Sequence, residues 1–255
     1  MGATVFWKLV HHELYSTANR RKNKKLKFSR NWTVGYWIAI VLLFFLIMTI
    51  VKLKTDFQLV NTWFVTLGLP YMIFFWGFGL VKKEWDNETQ GWWLTLPYTR
   101  TTLLGAKLVA NMLQICLVLL SLFILSLIYS FYLELIQGAF NGQEMVHFII
   151  IGLNWFILLG LFSPFIMSLG QFLAIANFTA IRVIMPILWF IFMGIGSVFY
   201  WGIPLFNQLF AQMAGEKAVT FFPYSYVVFI PIFISIVCSF LILKLSAYLL
   251  DKKIA

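Results

Sequence analysis

Of the 255 residues, 62% are hydrophobic and only 11% are charged, and the net charge is +10. A soluble domain is about half apolar and about a quarter charged, so this composition excludes an ordinary soluble protein. It indicates a membrane protein, in which lipid is the solvent for most side chains.

Residues 1–31 combine an amphipathic segment with a basic run. Apolar residues recur at the spacing of one helix face, at Val5, Phe6, Leu9, Val10 and Leu14. This spacing predicts a helix lying in the membrane interface, either as a gate packed beside the bundle or as a simple anchor. The run RRKNKKLKFSR follows it. Such residues are attracted to anionic headgroups, so the run predicts a topology anchor and no nucleic-acid partner.

Six stretches without Asp, Glu, Lys or Arg are long enough to cross the bilayer. A hydrocarbon core of about 30 Å needs about 20 residues at ~1.5 Å each. The predicted spans are 32–51, 59–81, 108–133, 147–169, 183–201 and 226–243. The predicted fold is therefore all-α, a single transmembrane domain. The 202–225 connection is too apolar for an ordinary loop, and we expect one or two short re-entrant helices there.

The distribution of basic residues predicts the orientation. Of the 19 lysines and arginines, all except Lys52, Lys54 and Lys217 fall on segments that six spans place on the same side. Such an excess is typical of the cytoplasmic side. We therefore expect a multi-pass protein of the cell membrane with both termini in the cytoplasm.

Groups that could perform catalysis are scarce. The histidines are His11, His12 and His147, and no zinc-protease, nucleophile-elbow or ATP-binding motif is present in the sequence. Cys116 and Cys238 lack a Cys-x-x-Cys partner, so neither a disulfide nor a metal site is expected. No acidic pair lies within a span, which weighs against a proton- or sodium-driven carrier. The chain is predicted to bind no cofactor and to be no enzyme by itself.

The polar residues within the predicted spans are neutral. Asn111, Gln114 and Ser121 share one face of the third span, and Asn154 and Ser163 lie in the fourth. Two interpretations remain open. The side chains form hydrogen bonds between helices, or they line a path for an amphipathic substrate.

The segment 82–107, between the second and third spans, concentrates charge and aromatic residues: KKEWDNETQGWWLTLPYTRTTLLGAK. Glu84, Asp86 and Glu88 form an acidic cluster on a side otherwise rich in lysine and arginine. Attraction to anionic headgroups does not explain this cluster, because its charge has the wrong sign. The cluster therefore suggests a contact with another protein.

Turn chemistry follows the acidic cluster. Gly91 interrupts the run, Trp92 and Trp93 are residues that favour the membrane interface, and Pro97 disfavours continuing the same helix. This order predicts a short helix lying flat on the cytosolic surface, then a kink, then a membrane helix.

The segment resembles the loop between the second and third spans in permease subunits of ATP-binding-cassette (ABC) exporters, in the six-helix second exporter family. That loop typically has an acidic residue, a glycine, a hydrophobic pair, a Leu-x-x-Pro-like turn, Ser/Thr-Arg and Gly-x-Lys. The matching residues here are Glu84 or Glu88, Gly91, Trp92-Trp93, Leu94 to Pro97, Thr99-Arg100 and Gly105-Ala106-Lys107. Trp-Trp replaces the commoner Thr-hydrophobic pair. The compact size also resembles permeases of Gram-positive peptide-export and bacteriocin-immunity systems.

The resemblance implies a coupling helix, at about Glu84 to Leu96, that docks on a cytosolic ABC ATPase. Two copies of that ATPase would hold ATP and Mg, and a second permease, identical or homologous, would complete the pathway. The implied ATPase-coupling residues are Glu84, Asp86, Glu88, Gly91, Trp92, Trp93, Pro97 and Arg100. The expected activity is export of an amphipathic peptide, antibiotic or lipid-like substrate.

Two alternatives belong to other functional classes. One is the substrate-binding membrane component of a vitamin-type importer, which would retain one small ligand. The other is an intramembrane enzyme, which would need a polar catalytic cluster at a consistent depth.

Overall fold

The computed structural model describes residues 3–23, parts of 32–50, and residues 58–137, 141–202 and 204–252. These residues form an all-helical protein, and no strand occurs among them. The α-helices are α1 (Ala3–Asn23), α2 (Leu69–Asp86), α3 (Gln90–Thr95), α4 (Arg100–Gln137), α5 (Gly142–Asn177), α6 (Met185–Gly202), α7 (Pro204–Met213) and α8 (Phe229–Lys252). Short 3-10 helices, Leu59–Gly68, Ala180–Ile184 and Tyr226–Val228, lead into α2, α6 and α8.

Four helices are long and apolar enough to cross a membrane. They are Leu59–Asp86, Arg100–Ile136, Gly142–Asn177 and Tyr226–Lys252, with 28, 37, 36 and 27 residues. At ~1.5 Å per residue, each exceeds the thickness of a hydrocarbon core of about 30 Å. They coincide with the second, third, fourth and sixth predicted spans. The all-α class is confirmed, and the four helices are consistent with a helical membrane protein.

The other two predicted spans are less completely defined. The first, 32–51, lies partly outside the described residues, and those described within it are helical. The fifth, 183–201, largely coincides with α6, and among its described residues the apolar helix is Ile181–Gly194. The count of six spans therefore stays a prediction.

The helix α5 is the centre of the bundle. Of its most apolar stretch 56% is buried, against 22% to 28% in the other three long helices. It packs against α2, α4 and α8. It also contains Pro164, which leaves the Gly160 carbonyl without its usual helical donor. The Ser163 hydroxyl donates to that carbonyl at 2.8 Å, so the helix continues past the proline.

Two glycines allow α2 and α5 to approach closely. A methyl group at Gly170 would lie 2.3 Å from the Phe74 carbonyl oxygen, and one at Gly77 would lie 2.5 Å from the Met167 carbonyl oxygen. Both obstacles are backbone atoms, which cannot rotate away. Small residues are enriched where membrane helices pack for this reason.

The Gly170→Ala variant should therefore lower the free energy of unfolding by about 1–3 kcal/mol, because the added methyl group forces two backbones apart. Gly160→Ala is the matched control, since it lies in the same helix with open space around the added methyl group. Thermal unfolding of both purified variants in detergent measures the difference. Equal stability of the two variants would contradict the close packing of α2 and α5.

Candidate functional site

The polar connection between α2 and α4 folds into a compact elbow, residues 87–99, that contains α3. Glu88 has φ of 57°, in the left-handed region that residues other than glycine seldom adopt. The Thr89 amide donates to the Glu84 carbonyl at 2.9 Å and closes the end of α2. The helix predicted from about Glu84 to Leu96 is therefore shorter in the structure. Glu84 belongs to α2, and only Gln90–Thr95 forms a separate helix.

A buried charge cluster, Glu13, Glu84 and Lys107, lies behind the elbow. The Lys107 ammonium is 2.8 Å from Glu84 Oε1 and 2.9 Å from Glu13 Oε1. Only 2% of the Lys107 side chain is exposed. The ammonium also lies 5.2 Å from the centre of the Trp93 ring, within cation–π distance. One lysine thus joins α1, the end of α2, the elbow and α4.

The second oxygen of Glu84 is also occupied. The Thr89 hydroxyl donates to Glu84 Oε2, so both carboxylate oxygens accept from partners inside the chain. A buried carboxylate needs such partners, because its removal from water is costly. Glu84 was predicted as part of the contact with an ATPase. In the structure it is buried and anchors the elbow from within.

Arg100 holds the other end of the elbow. Its Nη1 donates to the Leu94 carbonyl at the C-terminal end of α3, and its Nε lies 3.2 Å from Asp251 Oδ1 on α8. A cation at a helix C-terminus satisfies an orphan carbonyl and interacts favourably with the helix dipole. Arg100, another predicted coupling residue, is therefore engaged in fixing the elbow to the last helix.

The outward face of the elbow carries the remaining predicted coupling residues. The exposed ones are Asp86, Glu88, Gly91, Trp92 and Pro97. The two tryptophans separate, since Trp92 is 59% exposed and Trp93 only 3%. We call Asp86, Glu88 and Trp92 the elbow face. It consists of two exposed carboxylates and one exposed large aromatic ring, and aromatic residues of this kind are common anchors of protein interfaces.

Three of the predicted pathway residues differ in their exposure. Ser121 is exposed, and its hydroxyl donates to the Leu117 carbonyl in its own helix. Ser163 is buried and donates to the Gly160 carbonyl in the same way. Gln114 is partly buried. The two serine contacts lie within single helices.

The two asparagines lie at opposite ends of the bundle. Asn111 donates to the Lys107 carbonyl at 2.6 Å, beside the charge cluster. Asn154 is buried at the other end, where its Nδ2 donates to the Thr220 carbonyl and its Oδ1 accepts from the Phe222 amide, both at 2.8 Å. Asn154 thus holds the loop that leads to α8. The role of the five residues in a pathway stays a prediction.

A polar pocket of about 280 Å³ lies at the end of the bundle opposite the elbow. Its lining includes Gln58, Val60, Asn141, Gln143, Glu144 and His147. The Glu144 carboxylate accepts from the Leu59 amide at 2.8 Å, which satisfies the first donor of the 3-10 helix. Within the described part of the chain, no group of three or more His, Cys, Asp or Glu side chains is placed to hold a metal ion.

Sequence reasoning missed Glu13 and the pairing of Lys107. Glu13 interrupts the amphipathic pattern of α1, and Lys107 was noticed only as the end of the Gly-x-Lys motif. A signal for Glu84 was available, because Gly77, Val81 and Glu84 follow the spacing of one helix face and are all buried. No family model, curated protein or solved structure gives a match to this chain. Its function is therefore inferred from its own residues.

Proposed function

We propose that this chain is the permease subunit of an ABC exporter. In this proposal it crosses the cell membrane six times with both termini in the cytosol, and the elbow receives a cytosolic ATPase. The observation that carries the proposal is the elbow face, where Asp86, Glu88 and Trp92 are exposed while the neighbouring Glu84 and Trp93 are buried.

The division between buried and exposed residues suits a docking surface. Trp92 would enter an apolar groove of the ATPase, and Asp86 and Glu88 would pair with basic residues at the rim of that groove. Glu84, Trp93 and Arg100 act indirectly in this proposal, since their contacts within the chain keep the elbow in place.

The elbow is connected to the helices that would have to move. It continues from α2 and into α4, and Arg100 ties it to α8 through Asp251. A force on the elbow would therefore tilt three long helices together. The energy would come from ATP and Mg held by two copies of the ATPase. A second permease subunit would complete the pathway for an amphipathic peptide, antibiotic or lipid-like molecule.

Purification of the tagged chain from membranes of its native host tests the proposal. We expect a protein with an ATP-binding motif to co-purify with the unaltered chain, and the Glu88→Lys variant to lose it, because the variant places a cation opposite the basic rim. Lys82→Glu is the control, since Lys82 is exposed near the elbow but outside the elbow face. Recovery of equal amounts of ATPase with the unaltered chain and the Glu88→Lys variant would contradict the proposal.

A further inference from the structure

The charge cluster joins segments that are far apart in the chain. Glu13 is on α1, Glu84 is in the last two turns of α2, and Lys107 is in the second turn of α4. Two carboxylates share one ammonium, with exposed side-chain fractions of 18% for Glu13 and 5% for Glu84. The Lys107 ammonium therefore links α1 to the end of α2 through two carboxylates.

The remaining contacts of α1 are apolar. Val10 is 2% exposed and packs against Ala106 and Ala110 of α4. Phe6 lies 3.8 Å from the position that a methyl group at Gly105 would take. Apolar contact of this kind is non-directional and sets no unique position along the helix. The ion pair from Glu13 to Lys107 provides a defined point of attachment.

Buried ion pairs contribute little net stability, because desolvation offsets much of the attraction, and their best-attested role is to fix one arrangement among several. In this cluster the arrangement fixed is that of α1 relative to the elbow. The Lys107 ammonium contacts α1 through Glu13, the end of α2 through Glu84, and the elbow through the ring of Trp93.

We propose that Lys107 is a positioning residue that locks α1 to the elbow, so that α1, the elbow and the start of α4 move as one unit. If the elbow receives an ATPase, as proposed above, the N-terminal helix then moves with it. The lock itself belongs to the isolated chain and does not depend on a partner. Through this lock, any displacement of the elbow also displaces α1.

Two pairs of spin labels test the lock in the full-length chain in lipid nanodiscs, after Cys116 and Cys238 are replaced by serine. One pair of labels, at the exposed positions Trp7 and Thr95, measures the distance between α1 and the elbow. The other pair, at Thr95 and Lys252, measures the distance between the elbow and α8. In the otherwise unaltered chain we expect one narrow distance distribution for each pair.

Glu13→Gln should abolish the narrow peak between α1 and the elbow, and should leave the distance between the elbow and α8 unchanged. Lys107→Met should abolish the first peak as well, if the variant folds, whereas Lys82→Met should change neither. A narrow peak between α1 and the elbow in Glu13→Gln would overturn the proposal. Simultaneous broadening of both pairs in Glu13→Gln would overturn it too, because it would indicate general loosening.

The sample contains no ATPase, so the result is independent of the proposed function. If Glu13→Gln keeps a narrow peak between α1 and the elbow while an ATPase co-purifies with the unaltered chain, the lock is overturned and the exporter proposal remains intact. If Glu13→Gln loses that peak but no ATPase co-purifies with the unaltered chain, the exporter proposal is contradicted and the lock is supported.

Discussion

Replacing Lys107 with methionine is expected to lower the free energy of unfolding by about 3–5 kcal/mol. Methionine retains the length and apolar character of the side chain but removes the cation that lies 2.9 Å from Glu13 and 2.8 Å from the buried Glu84. Removal of one partner of a buried ion pair costs about this much, because an uncompensated charge is left in a medium of low polarity. The cation–π contact with Trp93 is lost as well.

Unfolding of the purified protein in detergent, followed by fluorescence, measures this loss. Lys82→Met is the control, since an exposed lysine should change stability by no more than about 0.5 kcal/mol. The double variant Lys107→Met with Glu84→Gln should be more stable than Lys107→Met, because the buried residue 84 then carries no charge. Equal stability of Lys107→Met and Lys82→Met would show that the charge cluster does not hold the elbow.

The second large effect concerns partner binding. Trp92→Ala should weaken the affinity for the proposed ATPase about 30-fold, because truncation of an aromatic anchor at an interface centre costs about 2 kcal/mol or more. Stability should change little, since the Trp92 side chain is 59% exposed. Titration of the purified ATPase against the detergent-solubilised chain measures the affinity.

An exposed aromatic residue at the other end of the bundle provides the control. Tyr226 is 84% exposed, beside the start of α8. Tyr226→Ala removes a similar apolar area far from the elbow, so it should leave the affinity unchanged. An equal loss of affinity in both variants would indicate a nonspecific hydrophobic effect.

The four long helices could be predicted because apolar length is a local property of the sequence. Their ends could not. The second span was predicted to end at residue 81, yet α2 continues to Asp86 through Lys82 and Lys83. A charged residue limits the part of a helix that lies in lipid, and it does not end the helix. The end is set by the left-handed turn at Glu88, which the sequence does not indicate strongly.

The position of the elbow was predictable, but the orientation of its side chains was only partly so. Adjacent residues of a helix point about 100° apart, so Trp92 and Trp93 could not both face inward. The buried one, Trp93, belongs to an apolar cluster with Ala174 and Leu243 and lies 5.2 Å from the Lys107 ammonium, and these residues are not its neighbours in the sequence. The same applies to Glu84, whose partner Lys107 comes from α4. Long-range ion pairs of this kind leave no local pattern in a single sequence.

The central claim is that a cytosolic ATPase contacts the elbow face, and site-specific photo-crosslinking tests it most directly. A photoreactive phenylalanine analogue is placed at position 92 of the full-length chain in living cells of the native host, and at position 226 as the control. We predict a crosslinked product at position 92 that contains an ATP-binding subunit, and none at position 226. An ATP-binding subunit crosslinked from position 226, or only lipid crosslinked from position 92, would contradict the claim.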